Sequence, residues 1–128
     1  MVISNDRSRR KSTGGKYKKF RKKKLHSLGR QAVKTKVDDK EKSKKIRATG
    51  GNEKRSLLTA KYISVADKDK GKIQKVEIKD VVENKANPQY VRMNVVNKGA
   101  IVKTKLGKVK VTSRPGQSGV VNGVLIKE

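Results

Sequence analysis

The side chains able to do chemistry in this sequence are overwhelmingly cations. Lys16, Lys18, Lys19, Arg21, Lys22, Lys23 and Lys24 crowd into one short stretch, and Arg30 follows. Such a run cannot transfer protons or ligate metals at neutral pH, but it can neutralise phosphates. Lysine does so as a point charge and arginine through a bidentate fork. Thr13-Gly14-Gly15-Lys16 lacks the GxxxxGK[ST] spacing of a nucleotide-binding loop, and nothing upstream supplies the strand that loop needs. Gly14 and Gly15 fit better as a bend that lets backbone N–H groups meet a nucleic-acid phosphate. His26 is the only histidine and has no partner at metal-ligand spacing. It is either a stacking or hydrogen-bonding contact to nucleic acid or a solvent-exposed bystander. The absence of cysteine removes disulfides, thiolate metal sites and thiol catalysis together. Asp67, Asp69, Asp80 and Glu83 are not grouped as paired catalytic carboxylates would be. No enzyme activity, metal, cofactor or small-molecule substrate is expected.

Three further basic groups stand later in the chain. Gly50-Gly51-Asn52, flanked by Arg47, Lys54 and Arg55, reads either as a plain turn or as backbone brought close to a phosphate. In Ser113–Gly119, Pro115-Gly116 suggests a type II turn with glycine at positive φ, holding Arg114 for a bidentate phosphate contact. The third group is a hairpin. With Leu106-Gly107 as a two-residue loop, Lys105 opposes Lys108, Thr104 opposes Val109, Lys103 opposes Lys110 and Val102 opposes Val111. Alternation then puts Val102, Thr104, Val109 and Val111 on one face and Lys103, Lys105, Lys108 and Lys110 on the other. Opposed like charges destabilise a sheet, so this face either receives an anion or is a solvated, aggregation-blunting surface.

The elements that must position these cations divide by composition. The 128 residues carry 36 Lys and Arg against 11 Asp and Glu, a net charge of +25. A charge of that size self-repels in a compact state and calls for a polyanion. Residues 1–36 hold 14 of the basic residues and one acid, Asp6. Residues 1–45 contain only seven of Leu, Ile, Val and Phe, too few to bury a core, against 23 in residues 46–128. The division is read as an extended basic arm over residues 1–43, disordered when free, and a β domain over residues 44–128. Val-, Ile- and Thr-rich runs at 44–49, 55–65, 72–82, 100–105, 108–112 and 120–126 predict six strands. Asn87-Pro88 predicts a short helix over 88–94, whose Val91, Val95 and Val96 could instead lie in a strand. The fold class is therefore all-β: a small six-stranded barrel-like domain with at most one short helix, after a basic arm. Tyr62 and Tyr90 are expected to fill the small core. No apolar stretch approaches a membrane span, and the start lacks the apolar region of a secretory signal.

Nucleic acid leads among polyanions, because the arm has no broad apolar face for a membrane surface. Without a helix-turn-helix, zinc-finger or heptad pattern, an arm plus a globule suits folded RNA better than a uniform duplex. A nucleoid-type DNA-binding protein is the alternative. Several blocks then carry a resemblance: Ser8-Arg9-Arg10-Lys11-Ser12-Thr13-Gly14-Gly15, the Lys22-Lys23-Lys24 cluster, Leu28-Gly29-Arg30 and Gly50-Gly51-Asn52-Glu53-Lys54. They continue through Asn87-Pro88-Gln89-Tyr90-Val91-Arg92, Lys98-Gly99-Ala100-Ile101, Thr112-Ser113-Arg114-Pro115-Gly116-Gln117 and Gly119-Val120-Val121-Asn122. In this order they resemble the small-subunit ribosomal protein eight of the archaeal and eukaryotic type, in its compact archaeal form. Ala48-Thr49 departs from the basic residue the family tends to keep before Gly50. The resemblance implies a non-catalytic, cytoplasmic constituent of the small ribosomal subunit, with ribosomal RNA and neighbouring ribosomal proteins as partners and no homo-oligomer. It implies that Arg9, Arg10, Lys11, Gly14, Gly15, Lys22, Lys23, Lys24 and Arg30 form an RNA-threading arm. Arg92 and Arg114 become contacts on the barrel side.

Overall fold

The structure is a computed structural model and describes residues 3–126. Met1, Val2, Lys127 and Glu128, the outer ends of the expected arm and β domain, lie outside the described residues. Contacts divide the chain into two units that meet at Ala32 and Val33. That junction lies upstream of the 43/44 boundary read from composition. Thr35–Val37, too short and polar to register as a strand in the sequence, is paired into the second unit.

The first unit is held by backbone pairing. Strand β1 (Ile3–Ser4) runs antiparallel to β2 (Leu28–Gly29), with Ile3 opposite Gly29 and Ser4 opposite Leu28. Between them, Arg10 bridges Lys16 and the Tyr17 N–H donates to the Arg9 carbonyl at 2.9 Å. The glycine pair is thus the tip of a tight hairpin, with Gly14 at φ 84° and the Lys11 N–H donating to the Gly15 carbonyl. Among its described residues Ser27 alone is buried, so no apolar core forms here.

The second unit is built from two sheets. Strands β3 (Thr35–Val37), β4 (Lys42–Arg47), β5 (Glu53–Ala60) and β8 (Val95–Val96) form one, in the order β4-β5-β3-β8. A closed barrel takes the others: β6 (Tyr62–Asp67), β7 (Lys72–Glu83), β9 (Ile101–Thr104), β10 (Gly107–Val111) and β11 (Asn122–Leu125), ordered β10-β11-β6-β7-β9. All pairs in the barrel are antiparallel except β11 with β6. Alternation fills the interior: Ile63 and Val65 on β6, Val102 and Thr104 on β9, and Val109 and Val111 on β10 are buried, joined by Ile78 and Val81. The all-β reading with a barrel-like domain holds, with five strands closing the barrel itself.

Several local expectations are corrected. The run 55–65 is two strands, because the chain passes from one sheet to the other at Lys61. The short helix is α1 (Gln89–Arg92), with the Asn87 carboxamide oxygen accepting from the Gln89 N–H at 2.9 Å, and Val95–Val96 belong to a strand. A second one-turn helix, α2 (Pro115–Ser118), replaces the type II turn. Proline at the first helical position favours the helical turn, and Gly119 rather than Gly116 takes the positive φ, 72°, as its left-handed cap. Tyr62 does not fill the core: it is exposed, with Lys75 Nζ 4.8 Å from its ring, and Tyr90 is only half-buried. The hairpin turns on Lys105-Leu106, so Lys103 opposes Lys108, Val102 opposes Val109 and Lys110 opposes Ile101. Lys105 therefore leaves the strand face for the turn.

The Lys61 corner is pinned by charge. Its Nζ lies 3.2 Å from Glu77 Oε1 and 3.3 Å from Asp39 Oδ1. The hydrogen bond to Glu77, then that to Asp39, holds this ammonium above the ordinary lysine value of 10.5. A raised lysine pKa contributes stability that is complete below the unfolded value and is lost as pH climbs through the folded one. The share of the urea midpoint that the Lys61 pairing supplies should therefore fall above about pH 10.5. Lys61→Met should flatten that alkaline limb. An unchanged limb would deny the pairing a role in stability.

Candidate nucleic-acid interface

Among the described residues, every lysine and arginine except Lys61 is exposed. Long cationic side chains keep their heads in water unless paired, and Lys61 is the one held between two carboxylates. The exposed set includes every candidate: Arg9, Arg10, Lys11, Lys16, Lys18, Lys19, Arg21, Lys22, Lys23, Lys24 and Arg30 in the first unit, and Arg47, Lys54, Arg55, Arg92, Lys103, Lys105, Lys108, Lys110 and Arg114 in the second. His26 is also exposed, in a 3-10 turn at Leu25–Ser27. Gly14 and Gly15 are exposed at the hairpin tip, where a Cβ added to Gly14 would meet nothing within 4 Å.

The first unit adds aromatic rings to its cations. The Arg7 guanidinium sits 4.1 Å from the centre of the Tyr17 ring, with Lys11 Nζ at 5.4 Å. Arg21 lies 5.0 Å from the centre of the Phe20 ring. Arg7 was not singled out by its sequence position. Nine residues lie between it and Tyr17, and only the hairpin they form reveals the pairing.

In the second unit the cations form separate groups. On β4 and β5, Lys45 stands opposite Arg55, Ile46 opposite Lys54 and Arg47 opposite Glu53. Lys45 Nζ reaches Glu53 Oε2 at 3.7 Å. Lys44 and Lys45 join this ladder unforeseen, and strand register is the signal that finds them. The connection between the strands is a turn at Thr49–Gly51, with Gly50 and Gly51 both at positive φ, 72° and 76°. An isolated parallel bridge from Arg55 to Ser118 sets the Arg114 loop beside this ladder. Gly119 lets them approach so closely, since a Cβ there would come within 2.6 Å of Arg55 Cβ. Lys103, Lys108 and Lys110 share the outer barrel face, with Asp80 opposite Lys103 on the far side. Arg92 is on α1, which packs against β7 and β8.

Among the described residues no three His, Asp or Glu side chains converge as metal ligands, and no helix is long and apolar enough to cross a membrane. The family model for ribosomal protein S8e matches residues 4–126. The chain belongs to this family. A small ribosomal subunit protein eS8 from Methanococcus aeolicus is 49% identical over 128 residues, covering the whole of both chains. The protein of that name from Staphylothermus marinus is 51% identical over 119 residues, 93% of each chain. That from Methanobrevibacter smithii is 50% identical over 126 residues, 98% of this chain and 100% of its own. As an archaeal-type S8e protein, the chain is a structural, non-enzymatic constituent of the small ribosomal subunit, a cytoplasmic particle. Its described surface is a set of exposed cations on a β scaffold.

Proposed function

We propose that this S8e chain binds small-subunit ribosomal RNA through its basic N-terminal arm, residues 1–43, and through the basic groups of its β domain. The observation that carries the reading is the exposure of every described lysine and arginine but Lys61 on a chain of net charge +25. Cations neutralise phosphates where RNA segments pack closely, and released counterions supply much of the driving force. Residues 33–43 of the arm belong to the β domain, whereas residues 1–32 have no apolar core of their own, so their backbone pairing opens readily when free and is fixed as RNA folds around it. The Arg55–Arg114 group and the Lys103–Lys110 face anchor the barrel against the same RNA. Neighbouring ribosomal proteins take the remaining surface, and the chain does not self-associate.

With about ten phosphates engaged, log K should fall with log salt at a slope of roughly −7 to −9. Filter binding of small-subunit ribosomal RNA across a salt series measures that slope. Competition with duplex DNA at equal salt should leave the RNA complex dominant. A preference for the duplex would favour a DNA-packaging role instead.

A further inference from the structure

We propose that the first unit holds an unpaired RNA base stacked on Phe20, so that the arm reads exposed bases as well as phosphates. The inference rests on the RNA-binding reading above and deepens it. Phe20 is the only phenylalanine in the chain, and the residue is 82% exposed. It belongs to no apolar cluster, so burial within its own fold does not account for it. It lines an open cleft with Asp6, Arg7, Arg9, Tyr17 and Arg21. The two rings of this cleft differ. Tyr17 has Arg7 at 4.1 Å and Lys11 at 5.4 Å from its centre, whereas Phe20 carries Arg21 alone, at 5.0 Å. The open surface of Phe20 is thus free for a flat partner, with a guanidinium already beside the ring.

A phosphate needs no aromatic ring, and Asp6 in the lining would repel one. A base uses both features: its π-face stacks on Phe20, and its N–H groups donate to the Asp6 carboxylate, which otherwise accepts from the Ser4 hydroxyl at 3.1 Å. Lys18, Lys19 and Arg21–Lys24 flank Phe20 in sequence, so a strand entering here brings its phosphates to cations and its base to the ring. A paired base inside a helix presents no face, so the occupant is a looped-out or single-stranded nucleotide.

The test uses the full chain with two probes, a single-stranded oligoadenylate and an RNA duplex of equal length. Phe20→Ala should weaken strand binding about tenfold, leave duplex binding unchanged and keep the same salt slope, because stacking is uncharged. At this exposure the substitution leaves folding intact. Phe20→Trp should restore the affinity, and since the chain has no tryptophan, its fluorescence should be quenched by the strand and not by the duplex. Equal binding of both probes by Phe20→Ala and the native chain would overturn the proposal, as would an equal loss on both. Normal RNA binding by the variant with its loss from reconstituted small subunits would also overturn it, pointing to a neighbouring protein as the ring's partner. Failure of the native chain to bind any RNA would instead overturn the RNA-binding reading beneath it.

Discussion

A chain shortened to residues 33–128 is expected to fold cooperatively yet bind small-subunit ribosomal RNA at least about a hundredfold more weakly near ~0.1 M salt. The folding half follows from where the core lies. The clustered buried residues run from Leu57 to Val121, and none belongs to the first unit. The cut must fall after Ala32 rather than at the end of the most basic stretch. Thr35 is buried, donates its hydroxyl to the Leu57 carbonyl at 2.6 Å and stands opposite Val96 in β3. Deleting residues 1–36 would remove that buried hydrogen bond and most of β3, confusing lost folding with lost binding. The binding half follows from charge. Residues 1–32 carry 12 of the 36 lysines and arginines against the single acid Asp6. If about half of those cations meet phosphates, the salt slope should also become shallower by roughly 4 to 5. Circular dichroism and urea titration check the first half, and filter binding across salt the second. A shortened chain that folded and bound as tightly as the whole would sink the role given to the arm.

Gly123→Val is expected to cost about 3 kcal/mol or more, a large share of the roughly 5–15 kcal/mol by which a small domain is ordinarily stable. Gly123 faces the barrel interior on β11, opposite Val111 and Val65. A Cβ there would come within 2.5 Å of Val109 Cγ1, 2.9 Å of the Lys110 carbonyl oxygen and 3.0 Å of Ile63 Cδ1. A side chain could swing away, but the Lys110 carbonyl belongs to the ladder between β10 and β11, so the barrel seam itself must open. Gly123→Ala should show a smaller loss in the same direction, about 1–3 kcal/mol. Urea unfolding of both variants reads the difference. Native stability in Gly123→Val would mean that the close packing of β11 across the barrel is wrong. Because Gly123 is buried, any change in RNA affinity should track the folded fraction rather than a lost contact.

Much of this was legible in the sequence because it depends on composition and parity. An excess of 25 positive charges demands a polyanion whatever the fold. The alternation of Val102, Thr104, Val109 and Val111 with lysines sorts the faces of a hairpin, and all four are buried in the barrel. A turn on Leu106-Gly107 and the observed turn on Lys105-Leu106 sort the strand faces alike, with only Lys105 leaving its face for the turn. The true turn moves the pairing by two residues, and only a shift of one exchanges the faces. Hydrophobic pattern is therefore blind to that choice. Backbone conformation settles it: Gly107, at φ 128°, opens β10 directly after the two-residue turn.

Other features lay beyond the sequence because they arise from contacts between distant residues. β3 and β8 are three and two residues long, too short for a period of two to show, and each exists only through its partners. The change of sheet at Lys61 is accompanied by ion pairs to Asp39 and Glu77, which no local pattern links. The Arg7–Tyr17 pair and the meeting of Arg55 with the Arg114 loop are likewise made by chain reversal. Charge, composition and alternation are properties of the chain and were fixed before it folded. Register, sheet membership and the grouping of cations are properties of closure, decided when the barrel chose which backbone groups would pair.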